Sequence, residues 1–328
     1  MNSSLKEISQ EIKNAKSIAI FTHKNPDLDA FGSSLALYYA CKQLGKDVDV
    51  FLKDDINERN LKLIGENPYK NDFTGKDYDL MISTDISSPE LLGDFADIFC
   101  NGRRKIVLDH HSSDNLKGDL TYRKPNYSSC SEVVNSLIKT MKIDFTEKIA
   151  SLIFIGLTGD TNSFINTNVN AGSFYTAYKC VKANADITNI NEIVYKTKTK
   201  KDIELEKYLL NNFKLEGDIA YCLVTLKTLE DFNAVKDDCG FYSSDLLSMD
   251  GVNISFSIIE QSPNFYSVSL RGKYGYNVRD IATKFGGGGH INAAGIKKGA
   301  NDINEFKDQI INEAKRQRMS KWSWMGLY

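Results

Sequence analysis

The stretch "FTHKNPDLDAFGSS" (Phe21 to Ser34) places one imidazole and two carboxylates, His23, Asp27 and Asp29, within seven residues. The chain has four histidines, and the other three are His110 and His111 in "VLDHHSSD" and His290 closing "GGGGH". Further carboxylates end apolar runs: Asp85 in "DLMISTD", Asp109 in "KIVLD" and Asp160 in "GLTGDTNSF". Any one of these reads as a helix cap or a turn residue. Their recurrence needs another explanation, because gathering so many carboxylates is unfavourable unless cations neutralise them. Carboxylates with two imidazoles and no thiolate suit a borderline-hard divalent ion such as Mn²⁺ or Mg²⁺ better than zinc. About six ligand groups exceed the needs of one ion, whereas two ions about 3.5–4 Å apart, sharing a carboxylate, would use them all. Such a pair stabilises the attacking and leaving oxygens of phosphoester hydrolysis.

For these groups to meet, the runs that carry them must be neighbouring strands. Over residues 1–190 apolar strands ("SIAIFT", "VDVFL", "DLMISTD", "KIVLDH") alternate with helical patterns, as in a doubly wound α/β parallel sheet. Such a sheet binds ligands outside the carboxyl ends of its strands. The helices include one from Leu5, with Ser4 and Glu7 as a capping box, and "GSSLALYYACKQLG", ending at Gly45. "SEVVNSLIKTMK" is another, capped by Ser131, and "TEKIASLIFIGLTGD" is a buried helix that runs out at Gly156 to Gly159. Residues 191–215 read as a charged connecting helix whose lysine cluster, Lys196 to Lys201, is a solvated face. Residues 216–328 form a smaller, β-rich α/β domain that closes with a helix, "INEFKDQIINEAKRQR", and a tryptophan-bearing tail expected to pack on its own surface. Its glycine run lets backbone N–H groups approach an anion, and Arg271 at a strand end offers a phosphate-binding fork.

Composition narrows the function classes. A chain of 328 residues suits two domains, and a net charge of −2 argues against coating long nucleic acid by bulk charge. The six cysteines form no CxxC pair, which excludes a zinc ribbon and fits a reducing compartment. The glycine run is neither GxGxxG with its acidic partner nor a Walker A loop. The N-terminus lacks the apolar stretch of a signal peptide and no run could span a bilayer, so the expected address is the cytoplasm, with no membrane partner.

In order, "HKNPDLDAFGS", "STD", "VLDHHSSD" and "GLTGDTNSF" resemble the four motifs of the DHH phosphoesterase superfamily, and "SLRGKYGYNVRDIATKFGGGGHINAAG" resembles its DHHA1 domain. The likeness runs from about residue 17 to about residue 300. It implies a two-domain enzyme with the active site in the inter-domain cleft and two Mn²⁺ ions, Mg²⁺ or Co²⁺ being alternatives. His23, Asp27 and Asp85 would hold one ion; Asp29, Asp85, His110 and Asp160 would hold the other. His111 would face the scissile phosphate as a polarising or acid group, and Asp109 would orient a histidine. Arg271, Gly287, Gly288, Gly289 and His290 would grip the substrate's terminal phosphate or nucleotide. Length and domain content resemble the stand-alone nanoRNase and pAp-phosphatase group, commonly homodimers, which cut very short RNAs to mononucleotides and dephosphorylate 3′-phosphoadenosine 5′-phosphate (pAp). The competing readings are a cyclic di-AMP or pApA phosphodiesterase and a non-catalytic nucleotide- or RNA-binding protein. The chain departs from the family pattern at Asn162, where glycine is common, and at Gly272, where serine is common; both bear on substrate preference.

Overall fold

A computed structural model describes residues 2–239, 242–273 and 275–324. The chain divides into two units, Met1–Thr197 and Lys198–Tyr328. In the first, helix α1 (Leu5–Asn14) begins at the expected capping box: the Glu7 N–H donates to Ser4 Oγ (3.2 Å) and the Ser4 N–H donates to Glu7 Oε2 (2.7 Å). Strands and helices then alternate as β1 (Ser17–Phe21), α2 (Leu28–Gln43), β2 (Asp47–Phe51), α3 (Glu58–Ile64), β3 (Tyr69–Lys70), β4 (Leu80–Thr84), α4 (Ala96–Cys100), β5 (Lys105–Asp109) and β6 (Leu120–Arg123). Helices α5 (Cys130–Met141), α6 (Glu147–Thr161), α7 (Ala171–Lys182) and α8 (Ile187–Asn191) follow.

Neighbouring strands are parallel throughout, in the order β3-β2-β1-β4-β5-β6. These strands are unbroken apolar runs because both of their faces are buried. Ile18 and Ile20 of β1 pack with Phe31, Val134 and Ile153, while Ala19 and Phe21 join Phe51, Phe95 and Phe99 on the opposite face.

Two helix readings need correction. The helix expected to run out at Gly156 to Gly159 continues to Thr161, because its glycines serve close packing instead of termination. A Cβ on Gly156 would run into Ser131 Oγ and Asp29 Oδ1, and one on Gly159 would meet Leu28 Cβ at 2.6 Å. A Cβ on Gly32 of α2 would meet the backbone of Leu152 and Gly156, so α2 and α6 cross at backbone range. Asn162 then ends α6 in the left-handed conformation (φ 46°), which asparagine tolerates better than most side chains. At α5, Ser129 takes the cap role expected of Ser131, its Oγ accepting the Glu132 N–H at 3.3 Å.

The segment 191–215 is not one helix. A π-helical turn, Glu192–Lys196, closes the first unit, and helix resumes as α9 (Lys200–Asn212) behind a Thr199/Asp202 capping box. Lys198, Lys200 and Lys201 pair with Glu206, Glu204 and Asp238, as expected of a solvated face. The second unit continues through β7 (Lys214–Glu216), β8 (Ile219–Val224), α10 (Leu226–Asp231), α11 (Tyr242–Ser248), β9 (Ile254–Ser262), β10 (Phe265–Gly272), α12 (Val278–Lys284), β11 (Gly288–Gly289), β12 (Ala293–Gly299) and α13 (Ile303–Trp324). Its sheet has the order β11-β12-β10-β9-β8-β7, antiparallel except for the pair β8–β9. The alternation visible in these strands sends Phe256, Ile258, Val268 and Leu270 into a core with Ile281, Phe306 and Ile310. Cys222 and Val224 face a second cluster with Leu205, Leu209 and Leu246. The side chains of residues 318–328, including the tail "KWSWMGLY", lie outside the described residues. Among the described residues no helix is long and apolar enough to cross a membrane.

Candidate metal centre

The strand order of the parallel sheet reverses between β1 and β4. At such a switch point an open sheet offers a crevice outside its strands' carboxyl ends. His23 stands just beyond β1, Asp85 directly follows β4, and Asp109 closes β5 with His110 and His111 beside it. Helix α2 starts in the same place with Asp27 as its N-cap, Oδ1 accepting the N–H groups of Asp29 (3.0 Å) and Ala30 (2.9 Å). Asp160 arrives in the last turn of α6, not beyond it.

These side chains converge. His23 Nε2 lies 3.6 Å from Asp85 Oδ2 and 3.7 Å from Asp27 Oδ1. His110 Nε2 lies 3.1 Å from Asp160 Oδ2, 3.4 Å from Asp85 Oδ1 and 3.9 Å from Asp29 Oδ2. Asp85 therefore turns one oxygen toward each histidine. The ring of His23 is set from behind, Nδ1 donating to Lys24 O at 2.9 Å, so Nε2 is the nitrogen presented to the carboxylates. Ligand atoms of His23, Asp27 and Asp85 lie within 4.8 Å of one another, as do those of Asp29, His110 and Asp160 and those of Asp85, His110 and His111. Asp29 is fully buried and also anchors the start of α5: Oδ2 accepts the Cys130 N–H (2.5 Å), and Oδ1 accepts the Ser131 N–H (2.9 Å) and hydroxyl (2.6 Å). That is why Ser131 is unavailable as a cap and why residue 156 must be glycine.

The donor set fits a divalent ion. Asp85 Oδ1 is buried and accepts no hydrogen bond, although it stands 3.4 Å from one imidazole and 3.6 Å from another. Asp85 also holds φ at +63°, a strained value for aspartate. Burial acts to lower the pKa of His23 and His110, but the carboxylates around them outweigh it and raise them to about 11 and about 12. Asp160 is pushed up to about 6 by burial, with Asp27 and Asp85 adding to the rise against His110. This much negative charge binds either protons or a cation, and the two compete for the same atoms.

Asp109 is built differently. Its Oδ1 accepts the N–H groups of His110 (2.8 Å) and His111 (3.2 Å) and the His111 Nδ1–H (2.8 Å), and its Oδ2 accepts Arg123 Nε–H (2.9 Å). A saturated carboxylate is a poor ligand and a firm support. It fixes the imidazole of His111 so that Nε2 is the atom left to act. Burial opposes a charge on His111, and Asp109 and Asp85 more than restore it, raising its pKa. Arg123 escaped the sequence reading. Its one signal is position, since it too closes a strand of this sheet.

In the second unit Arg271 is part-buried, and burial lowers its pKa; its guanidinium donates to the Leu270 carbonyl (3.0 Å) and meets no carboxylate among the described residues. The glycine run is a paired strand end more than an open loop. The Gly287 N–H donates to Ala282 O (2.9 Å) and the His290 N–H to Ala293 O (2.7 Å), while Gly288 and Gly289 pair with Gly295 and Ala294. Gly287 has to lack a side chain because a Cβ would strike the Gly295 carbonyl; at Gly288 the space is open. At Gly272 a Cβ would meet Val278 Cγ1 at 2.8 Å, so the serine common in the family would not fit here without a shift.

Family comparison agrees with this geometry. Residues 17–157 match the model of the DHH family, N-terminal domain, and residues 218–316 match the DHHA1 domain. Curated relatives include the bifunctional oligoribonuclease and PAP phosphatase NrnA of Mycoplasma genitalium, 29% identical over 92% of this chain and 95% of the relative. The Thermus thermophilus protein of the same name is 25% identical over 94% and 92%. The crystal structure of an exopolyphosphatase-related protein from Bacteroides fragilis is similar with a TM-score of 0.88 and 25% identity, covering 96% of this chain and 97% of that one. RecJ from Thermus thermophilus in complex with Mn²⁺ shares the fold, with a TM-score of 0.61 and 15% identity over 95% of this chain and 55% of its own. The chain belongs to the DHH phosphoesterase superfamily, in the branch that carries a DHHA1 domain.

Proposed function

We propose that this protein is a metal-dependent phosphoesterase that hydrolyses short oligoribonucleotides to mononucleotides and also removes the 3′-phosphate of pAp. The observation that carries the reading is Asp85, a buried, strained carboxylate with an oxygen that accepts no hydrogen bond, set between His23 and His110. Relatives named as bifunctional oligoribonuclease and PAP phosphatase, matched along nearly their whole length, supply the substrate class. His23, Asp27 and Asp85 would hold one divalent ion and Asp29, Asp85, His110 and Asp160 a second, Mn²⁺ being the favoured metal for this oxygen-and-imidazole set. Bound ions supply Lewis-acid stabilisation of the phosphoester's developing charge.

The chain's own groups do the rest. Asp109, held by Arg123, fixes His111 with its Nδ1–H donated away, so that Nε2–H is aimed outward as the proton donor to the leaving oxygen. Arg271 and His290 grip the substrate's terminal phosphate, and Gly287, Gly288 and Gly289 let it approach without side-chain obstruction. The six cysteines are all free, in keeping with a cytoplasmic address. The test is a product time course with a labelled RNA dinucleotide, a long RNA, pAp and pApA, with Mn²⁺ and with chelator. Rapid Mn²⁺-dependent cleavage of the dinucleotide and of pAp, with long RNA nearly untouched, is expected. No turnover of any of them with Mn²⁺, Mg²⁺ or Co²⁺ would refute the reading.

A further inference from the structure

We propose that Glu132 is a positioning residue for His110, acting on it through the peptide bond between Tyr127 and Ser128. A carboxylate is costly to bury, yet Glu132 is only 4% exposed. It stands third in α5, where a glutamate ordinarily reaches back to the N–H of the N-cap. Glu132 reaches one residue further. Its Oε2 accepts the Ser128 N–H (2.7 Å) and hydroxyl (2.6 Å), and its Oε1 accepts the Thr176 hydroxyl (3.4 Å).

The N–H it holds belongs to the same peptide unit as the Tyr127 carbonyl, and that carbonyl accepts the His110 Nδ1–H at 3.4 Å. The unit is planar, so holding its N–H aims its C=O. A negative charge at the N–H end also polarises the amide and makes the carbonyl a better acceptor. Donation from Nδ1 fixes the tautomer that leaves Nε2 for Asp160, Asp85 and Asp29, and it raises the basicity of that nitrogen. Asp109 does this for His111 directly; Glu132 does it for His110 with one amide between. Ser128 is tied to Asp160 as well, since Asn168 Nδ2 donates to the carbonyls of Ser128 (3.0 Å) and Asp160 (3.2 Å). The device therefore serves the ion assigned to Asp29, Asp85, His110 and Asp160, not the one assigned to His23, and it rests on that assignment.

Calorimetric titration of the metal-stripped full chain with Mn²⁺ tests this. Glu132→Gln keeps the shape and an acceptor for the Ser128 N–H and removes the charge. One of the two Mn²⁺ affinities should weaken by about tenfold while the other holds. A role confined to folding would instead resemble Ser173→Ala, which removes a buried hydroxyl partner of Ser128 Oγ (2.8 Å) and leaves the peptide unit alone, so that Tm falls and both affinities stay. Glu132→Gln with both affinities unchanged, or with both weakened equally, would overturn the proposal while the metal assignment stands. A wild type that binds no Mn²⁺ would overturn the metal assignment and this proposal with it. A second measurement needs no substitution: the Ser128 amide proton of the wild type, followed by NMR, should shift as diamagnetic Mg²⁺ is loaded. An amide proton that does not move would overturn the coupling even if Glu132→Gln failed to fold.

Discussion

Asp85 at the end of β4 and Asp109 at the end of β5 are buried aspartates beside histidines on neighbouring parallel strands. Their surroundings treat them in opposite ways. Asp109 accepts hydrogen bonds on both oxygens, one of them from a buried arginine, which with the His111 partnership keeps its pKa low in spite of burial. Asp85 holds a left-handed backbone conformation and keeps one oxygen without a hydrogen bond. Burying a charge without satisfying it costs free energy, so the fold tolerates such an atom where a ligand satisfies it. The difference separates a carboxylate kept for an ion from one that holds the histidine beside it.

The largest effect should come from breaking the first of the pair. Asp85→Asn keeps the shape and removes the charge, and we expect steady-state hydrolysis of a dinucleotide to fall below about 1% of wild type. Burial opposes the Asp85 charge, but His110 and His23 outweigh it and lower its pKa, so in the metal-free protein the substitution removes a stabilising ion pair and thermal unfolding at neutral pH should show it less stable than wild type. Turnover near wild type would place the ion elsewhere.

The support side should respond differently. Arg123→Met leaves Asp109 as a buried charge without its partner, which costs about 3–5 kcal/mol of stability. With Asp109 less firmly anchored behind His111, kcat should fall about 10–100-fold while metal stoichiometry stays unchanged. Denaturant unfolding and single-turnover kinetics separate the two losses. An activity loss explained wholly by metal release would collapse the distinction between the two aspartates.

Gly156→Ala tests the packing behind the site. The added Cβ would push into Ser131 and Asp29, and we expect a loss of about 1–3 kcal/mol, read as several degrees of Tm. An unchanged Tm would show that Asp29 has room to move.

Asp49 on β2 marks the far end of the comparison, a carboxylate with conventional partners away from the site. Burial acts to raise its pKa, but Lys70, Tyr78 and Lys76 outweigh it and lower it to about 2, below the ordinary 3.8. Its folded-state pKa is depressed, so its contribution is present above the unfolded value and disappears as pH falls through about 2. Asp49→Asn should therefore destabilise the protein at neutral pH, with the gap to wild type closing between pH 4 and pH 2 in urea titrations. A gap that persists at pH 2 would assign the effect to packing.

Much of this arrangement was legible in the chain. Apolar runs ending in His or Asp marked the strand ends, and the Ser4/Glu7 pair marked the first helix, because both signals are local. What escaped depends on contacts distant in sequence. The family resemblance separated Asp85 from Asp109, but the residues beside them do not say how, since the arginine that saturates Asp109 lies on another strand. Gly156 and Gly159 looked like breakers because the helix that needs their missing side chains is more than a hundred residues away. Ser131 looked like a cap until Asp29 claimed it. The glycine run looked open because its pairing with β12 cannot be read from four identical residues.

The most direct measurement is calorimetric titration of the metal-stripped protein with Mn²⁺, run in parallel on wild type, Asp85→Asn and Asp109→Asn. Two ions per chain for wild type and for Asp109→Asn, with one or none for Asp85→Asn, is the predicted result. Equal stoichiometry in all three, or no binding to wild type, would contradict the assignment of Asp85 as the carboxylate shared by two ions.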